Sequence, residues 1–245
     1  MLGVSHDEAM ARAIETTDFF AEAFHAAQAL PLKGFALAAA FGLINLTIDL
    51  VFPHFGTGNL AGYVAIGLLT IASLAAYYVL AMIIVEIAPS WIGGLRFGAT
   101  LLVSLILPLA LLFAGLWLMR SSDSVSVVVV GLSLLFLLVG LPLLAGWPVA
   151  QAVSNRLVSP LGILRATKGY RWGLFVASYA STAINKILPA TDTAKTTGQT
   201  ILLAIGDGGV SCISLILLAS IAATAYKFAI RSDPGLTKGA HQSNA

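Results

Sequence analysis

Six stretches of this chain are apolar over a length that only a lipid bilayer accommodates. A helix needs about 20 predominantly apolar residues to cross a hydrocarbon core about 30 Å thick. The stretches are 34–51, closed by Pro53; 62–88, closed by Pro89; 97–119; 125–152, with Pro142 and Pro148 in its second half; 172–188, short and closed by Pro189; and 200–229. The last is interrupted by Gly206-Asp207-Gly208-Gly209, which predicts a short interfacial turn followed by a span over about 210–228. In hydrocarbon every backbone amide and carbonyl must find its partner within the segment, so each span is expected to be a helix.

Composition agrees. Of 245 residues, 58% are hydrophobic and 10% charged, where a soluble domain carries about 25% charged residues. A water-soluble fold of this size has too little interior to hide so much apolar surface. The sequence therefore predicts an all-α fold, a polytopic transmembrane helix bundle of about six spans. Residues 31–230 form the membrane domain, 1–30 a segment before it and 231–245 a tail. A net charge of +2 gives no footprint for nucleic acid. The single cysteine, Cys212, excludes a disulfide framework within one chain. The polar, acidic stretch at 5–22 is unlike a cleaved signal peptide.

That first segment has its own signature. Ser5 and Glu8 fit a capping box, and Met10, Ile14, Phe20 and Phe24 recur at near-helical spacing. An amphipathic helix lying on the membrane or on the bundle is expected, with a loosely ordered tail as the alternative.

Lysine and arginine set the orientation. Arg12, Lys33, Arg96, Arg156, Arg165, Lys168, Arg171, Lys227, Arg231 and Lys238 fall in one set of connecting segments, and Arg120, Lys186 and Lys195 in the other, ten against three. The ten mark the cytoplasmic side, so both termini are expected there, in a bacterial inner membrane. All four tryptophans, Trp91, Trp117, Trp147 and Trp172, fall near predicted span ends, where an amphipathic ring sits best.

Motifs of soluble chemistry are missing: no H-E-x-x-H, C-x-x-C, P-loop or nucleophile elbow. The histidines at 6, 25, 54 and 241 are scattered outside the spans. The string Gly56 to Gly62 reads as a turn into the second span. It contains Gly58-x-x-x-Gly62, a close-packing pattern placed too near a loop to mark a dimer face. No catalytic residue, cofactor or metal ligand is nominated.

An ionisable group within a span is costly and so points to function. Asn45 and Asp49 are four residues apart and share a helix face. They would line a cation or proton path, or Asp49 would simply reach water at the span end. Asp207 lies among glycines, where broken helices hold carboxylates at transporter sites, although such breaks also occur wherever a loop meets a span. Glu86 is expected to pair with Arg96 across a short turn. Pro108, Pro142 and Pro148 would kink their helices.

The segment between the fourth and fifth stretches carries the strongest positive signal. Ser159 fits an N-cap and Pro160 a first helical position. Arg165 and Lys168 share one face, and Leu157, Leu161 and Leu164 another. This is a short interfacial helix whose cations meet head groups, each worth about 1 kcal/mol beside an anionic leaflet. Arg165, Lys168, Arg171 and Trp172 are the candidate contacts for an anionic lipid or an acidic partner. The alternative role is topology and anchoring alone.

The pattern Pro160-x-x-x-Leu164-Arg165-x-Thr167-Lys168-Gly169-x-Arg171-Trp172-x-Leu174-Phe175 resembles a motif of the bacterial membrane-anchor domain attached to some glycerophosphodiester phosphodiesterases, and of its stand-alone relatives. Ala225-Tyr226-Lys227 is similar to the ending of that family. The helix layout would extend over about 30–230, with some 16 residues carrying the specific likeness. Ile163 and Leu164 depart from the Ser-Trp common in the family. Spans and tails use nearly the whole chain, leaving no room for a phosphodiesterase domain. The resemblance implies a bundle resident in a membrane and carries over no catalytic residue. The function expected is that of a scaffold, accessory subunit or lipid-binding module whose partners are membrane lipids or another membrane protein. The other expectation is a transporter or channel component with a polar cavity near Asp49 and Asp207.

Overall fold

The computed structural model describes residues 6–55, 60–119, 124–154, 156–184, 186–189 and 196–237. These are 88% helical, with no strand among them. The helices are α1 (His6–Gln28), α2 (Leu32–Phe55), α3 (Leu60–Val85), α4 (Trp91–Leu118), α5 (Ser124–Leu135), α6 (Leu141–Leu143), α7 (Trp147–Val153), α8 (Pro160–Ala166), α9 (Arg171–Ile184) and α10 (Thr197–Ser232). A π-helical turn, Phe136–Gly140, joins α5 to α6.

Five stretches are long and apolar enough to cross a membrane: Leu32–Val51, Gly62–Val85, Trp91–Leu118, Val125–Leu143 and Thr197–Ser232. The chain is an all-α bundle built for lipid. The remaining expected span is α9, whose 14 residues rise about 21 Å at 1.5 Å per residue.

α10 is the hub. Its second half is buried on all sides, from Ser214 through Ala219 and Ala223 to Ala229, as a helix surrounded by others must be. α2 and α3 pack on one flank, burying Ala38, Phe41, Leu80 and Ile84 against Leu215 and Ala219. α4, α7 and α8 close the other flank through Phe97, Val149 and Ile163, with Tyr226 of α10 among them. The outer faces of α4 and α5 stay apolar and exposed, for example at Ile106, Phe113, Val128 and Leu132. Such a surface belongs against acyl chains.

The Gly206-Asp207-Gly208-Gly209 cluster does not interrupt its helix. α10 runs unbroken for 36 residues. A glycine in a helix costs about 1 kcal/mol, less than backbone groups left unpaired in lipid. What the cluster provides is proximity. A Cβ on Gly208 would stand 2.7 Å from the Gly42 carbonyl oxygen, and one on Gly42 would stand 2.6 Å from that of Gly208. The backbones of α2 and α10 touch there because neither residue has a side chain. Gly58 lies outside the described residues.

α1 docks on the bundle with the described part of the expected stripe, Phe20 and Phe24, facing outward; the side chains of Met10 and Ile14 lie outside the described residues. Phe19, Ala23 and Leu30 are buried, whereas Phe20 and Phe24 are exposed. Alanine lets the helix approach, and the inward ring is Phe19 rather than its neighbour. Ser5 lies outside the described residues. Glu22 of α1 grips Arg231 of α10 through two hydrogen bonds of 2.7 and 2.9 Å. This is the one ion pair among the described residues. It brings the first helix and the end of the last to the same end of the bundle.

Glu86 does not pair with Arg96. It is exposed and stands at φ 63°, ending α3. Its amide donates to the Ile83 carbonyl and that of Ile87 to Met82, the paired closure of a Schellman motif. Arg96 instead donates to the carbonyl of Ser154.

Each proline meets a different local solution. Pro108 sits inside a continuous α4. Pro148 opens α7. Pro142 follows the π turn and brings no backbone amide to it. The Tyr179 hydroxyl of α9 donates to the Leu138 carbonyl at 2.6 Å.

Candidate functional site

Two arrangements collect the residues singled out by the sequence. The first is the segment from α8 through a 3₁₀ turn, Thr167–Gly169, into α9. Its buried residues are Ile163, Ala166, Thr167, Tyr170 and Leu174, a stripe at helical spacing carried across the turn. Its exposed residues are Leu161, Arg165, Lys168, Arg171 and Trp172, the last 75% exposed. All four candidate contacts thus stand outward on a segment anchored from beneath. The leucine face is different from the expected one. Leu157 and Leu161 are exposed, and only Leu164 packs inward. Ser159 occupies the N-cap position without making a side-chain cap bond.

The anchor is aromatic. Tyr170 stacks on Phe19 of α1 with centroids 5.2 Å apart and planes 12° apart, and it meets Phe228 of α10 edge-on at 5.1 Å. Its hydroxyl donates to the Ala225 carbonyl at 2.9 Å. Burial raises the pKa of this phenol, because a phenolate would lose its hydration. Three helices therefore meet on one side chain. Arg171 reaches back to the Leu164 carbonyl at 2.7 Å, and the Thr167 hydroxyl donates to the same oxygen at 3.0 Å. A Cβ on Gly173 would press on Thr16 and Phe19 at 3.2–3.3 Å, so α1 crosses α9 there. Sequence reasoning passed over Tyr170, which filled an unassigned place in the motif. Its position between charged neighbours was the available signal.

The second arrangement is the α2–α10 crossing. The Asn45 amide donates to an Asp207 carboxylate oxygen at 2.5 Å and to the Ser211 hydroxyl at 3.1 Å. Asp49 follows one turn beyond Asn45 on the same face of α2. Asn45 is 8% exposed, and the two aspartates are half-buried. A cavity of about 320 Å³ lies beside them, its polar wall made by Ser73, Ser211 and Ser214. The Gly42–Gly208 contact brings these side chains together, because it removes the separation that larger residues would impose. No family model, curated protein or solved structure matches this chain. Two adjacent carboxylates with an amide donor can hold a cation or share a proton. Among the described residues, no three His, Cys, Asp or Glu side chains gather as a metal site.

Proposed function

We propose that the protein is a non-catalytic module of a bacterial inner membrane, with both termini cytoplasmic, that binds the anionic leaflet through Arg165, Lys168, Arg171 and Trp172. As such it would serve as a scaffold or accessory subunit, and kinship with the membrane-anchor family is part of the proposal. The observation carrying it is the outward display of three cations and an indole on a segment whose alternate residues are locked into the core. A rigid basic surface loses little entropy on meeting head groups, and Trp172 is suited to the interface. Ten of thirteen cations fall in segments of that side.

The test is lipid selectivity in mixed bilayers. Spin-labelled phosphatidylglycerol should associate with the protein in preference to phosphatidylcholine. Replacing Arg165, Lys168 and Arg171 by glutamine should markedly weaken the preference, and an unchanged preference in that variant would overturn the reading.

The α2–α10 crossing supports a second reading, a transporter or channel component. Its basis is the Asn45, Asp49 and Asp207 cluster beside a cavity. Flux of protons or monovalent cations into proteoliposomes should then fall at least tenfold in Asp49→Asn or Asp207→Asn, and flux indifferent to both would remove this reading.

A further inference from the structure

A groove at the basic end of the bundle has the build of a site for one lipid molecule. It lies between the first turns of α4, α7 and residues 156–160, encloses about 610 Å³, and is lined among others by Arg96, Val103, Trp147, Gln151, Arg156 and Leu157. Its floor is knitted by polar contacts. The Gln151 side chain accepts from the Val158 amide at 2.9 Å and donates to the Arg156 carbonyl at 3.1 Å. The Trp147 indole donates to the Val158 carbonyl at 2.8 Å, and the Arg156 amide donates to the Ser154 hydroxyl at 3.2 Å. Arg96 adds a bond to the Ser154 carbonyl at 2.5 Å. Gln151 is itself buried, so the turn bearing Arg156 is held in place rather than loosely draped.

Two guanidinium groups line this groove, and neither pairs with a carboxylate among the described residues. Arg96 spends one donor on Ser154 and keeps the others. Leaving two like charges together without an anion is unfavourable, and an arginine pair is suited to a phosphate, whose oxygens accept forked hydrogen bonds. The other wall is apolar. Val103 lies two turns beyond Arg96 on α4, and the exposed Leu157 faces it across the opening. Charge at one end and hydrocarbon along the helix match an amphipathic anion at head-group depth. Trp91, exposed at the start of α4, marks that depth.

We propose that this groove binds a single anionic glycerophospholipid, with its phosphate between Arg96 and Arg156 and an acyl chain along Val103. The inference rests on the reading that this end of the bundle meets an anionic leaflet, but it uses different residues and predicts a countable ligand.

Native mass spectrometry of the full chain, released from mixed micelles of phosphatidylglycerol and phosphatidylcholine, tests it. One phosphatidylglycerol should remain bound at activation energies that strip the rest. Arg156→Gln should lower its retention at least tenfold, and the fold should tolerate it, since that side chain makes no hydrogen bond or ion pair among the described residues. Val103→Trp, which narrows the hydrocarbon wall without touching either arginine, should do the same. The Arg165, Lys168 and Arg171 glutamine variant should keep the single retained lipid while its general selectivity weakens, which separates failure of this site from failure of the broader reading. Equal retention in Arg156→Gln, or no retained phosphatidylglycerol in the native chain, overturns the proposal. So does displacement by millimolar inorganic phosphate, which would make the groove a site for free anions.

Discussion

Glu86 ends α3 in the left-handed region, with φ 63° and its side chain exposed. Glycine is the usual residue at that place in a Schellman closure, because a Cβ there costs roughly 1 kcal/mol or more. Glu86→Gly is therefore expected to raise stability by about 1 kcal/mol, less the added freedom of the unfolded chain. Thermal unfolding in detergent checks this, and a lowered midpoint would mean the carboxylate makes a contact that outweighs the strain. Tyr170 gives the complementary case. Tyr170→Phe keeps the ring stack and loses one donor to Ala225, a loss of about 1 kcal/mol. Phe19→Ala removes a fully buried ring and should cost about 3 kcal/mol or more. The reverse ranking in the same assay would place the anchor in the hydroxyl rather than in the packing. At this scale the sequence was legible where type alone decides, as with exposed cations. It was illegible where a neighbour decides. Phe19 and Phe20 are the same residue one position apart, and the approach of Tyr170, Phe228 and Gly173 selects the inner one.

Helix crossings obey the same logic one level up. Gly208 and Gly209 are adjacent and chemically identical, yet a Cβ on the first would strike the Gly42 carbonyl and one on the second would meet open space. Gly208→Val should separate α2 from α10 and destabilise by about 1–3 kcal/mol. Gly209→Ala should be neutral or stabilising by up to about 1 kcal/mol, as at an unhindered helical position. Midpoints from thermal unfolding of both variants check the pair. If the cluster were a helix break, both substitutions would harm alike. The hydropathy of the spans was readable because bilayer thickness fixes their length. The role of the glycines was not, since a break and a close crossing leave the same residues in a row. Asn45 and Asp49 could be placed on one face by their spacing. That Asp207 lies opposite them depends on the Gly42–Gly208 contact, which no local pattern encodes.

The Glu22–Arg231 ion pair constrains the whole molecule. A contact of 2.7 Å between α1 and the end of α10 requires the chain to enter the bilayer and leave it on the same side, and hence to cross an even number of times. Five long apolar helices make an odd number. The missing crossing falls to α9, because every other connection already joins two long helices. The 14 residues of α9 cover about two thirds of the hydrocarbon core, and the Tyr179 hydroxyl ties α9 to the Leu138 carbonyl of the preceding helical segment at 2.6 Å. We therefore predict that Ser159 and Asp233 lie on one face of the membrane and Ile187 on the other. In a Cys212→Ser background, an impermeant maleimide applied to spheroplasts should label Ile187→Cys and spare Ser159→Cys and Asp233→Cys. Inverted vesicles should give the opposite pattern. Labelling of positions 159 and 187 from the same side would make α9 a re-entrant helix, leaving five crossings, an odd count incompatible with the ion pair that joins the two ends of the bundle.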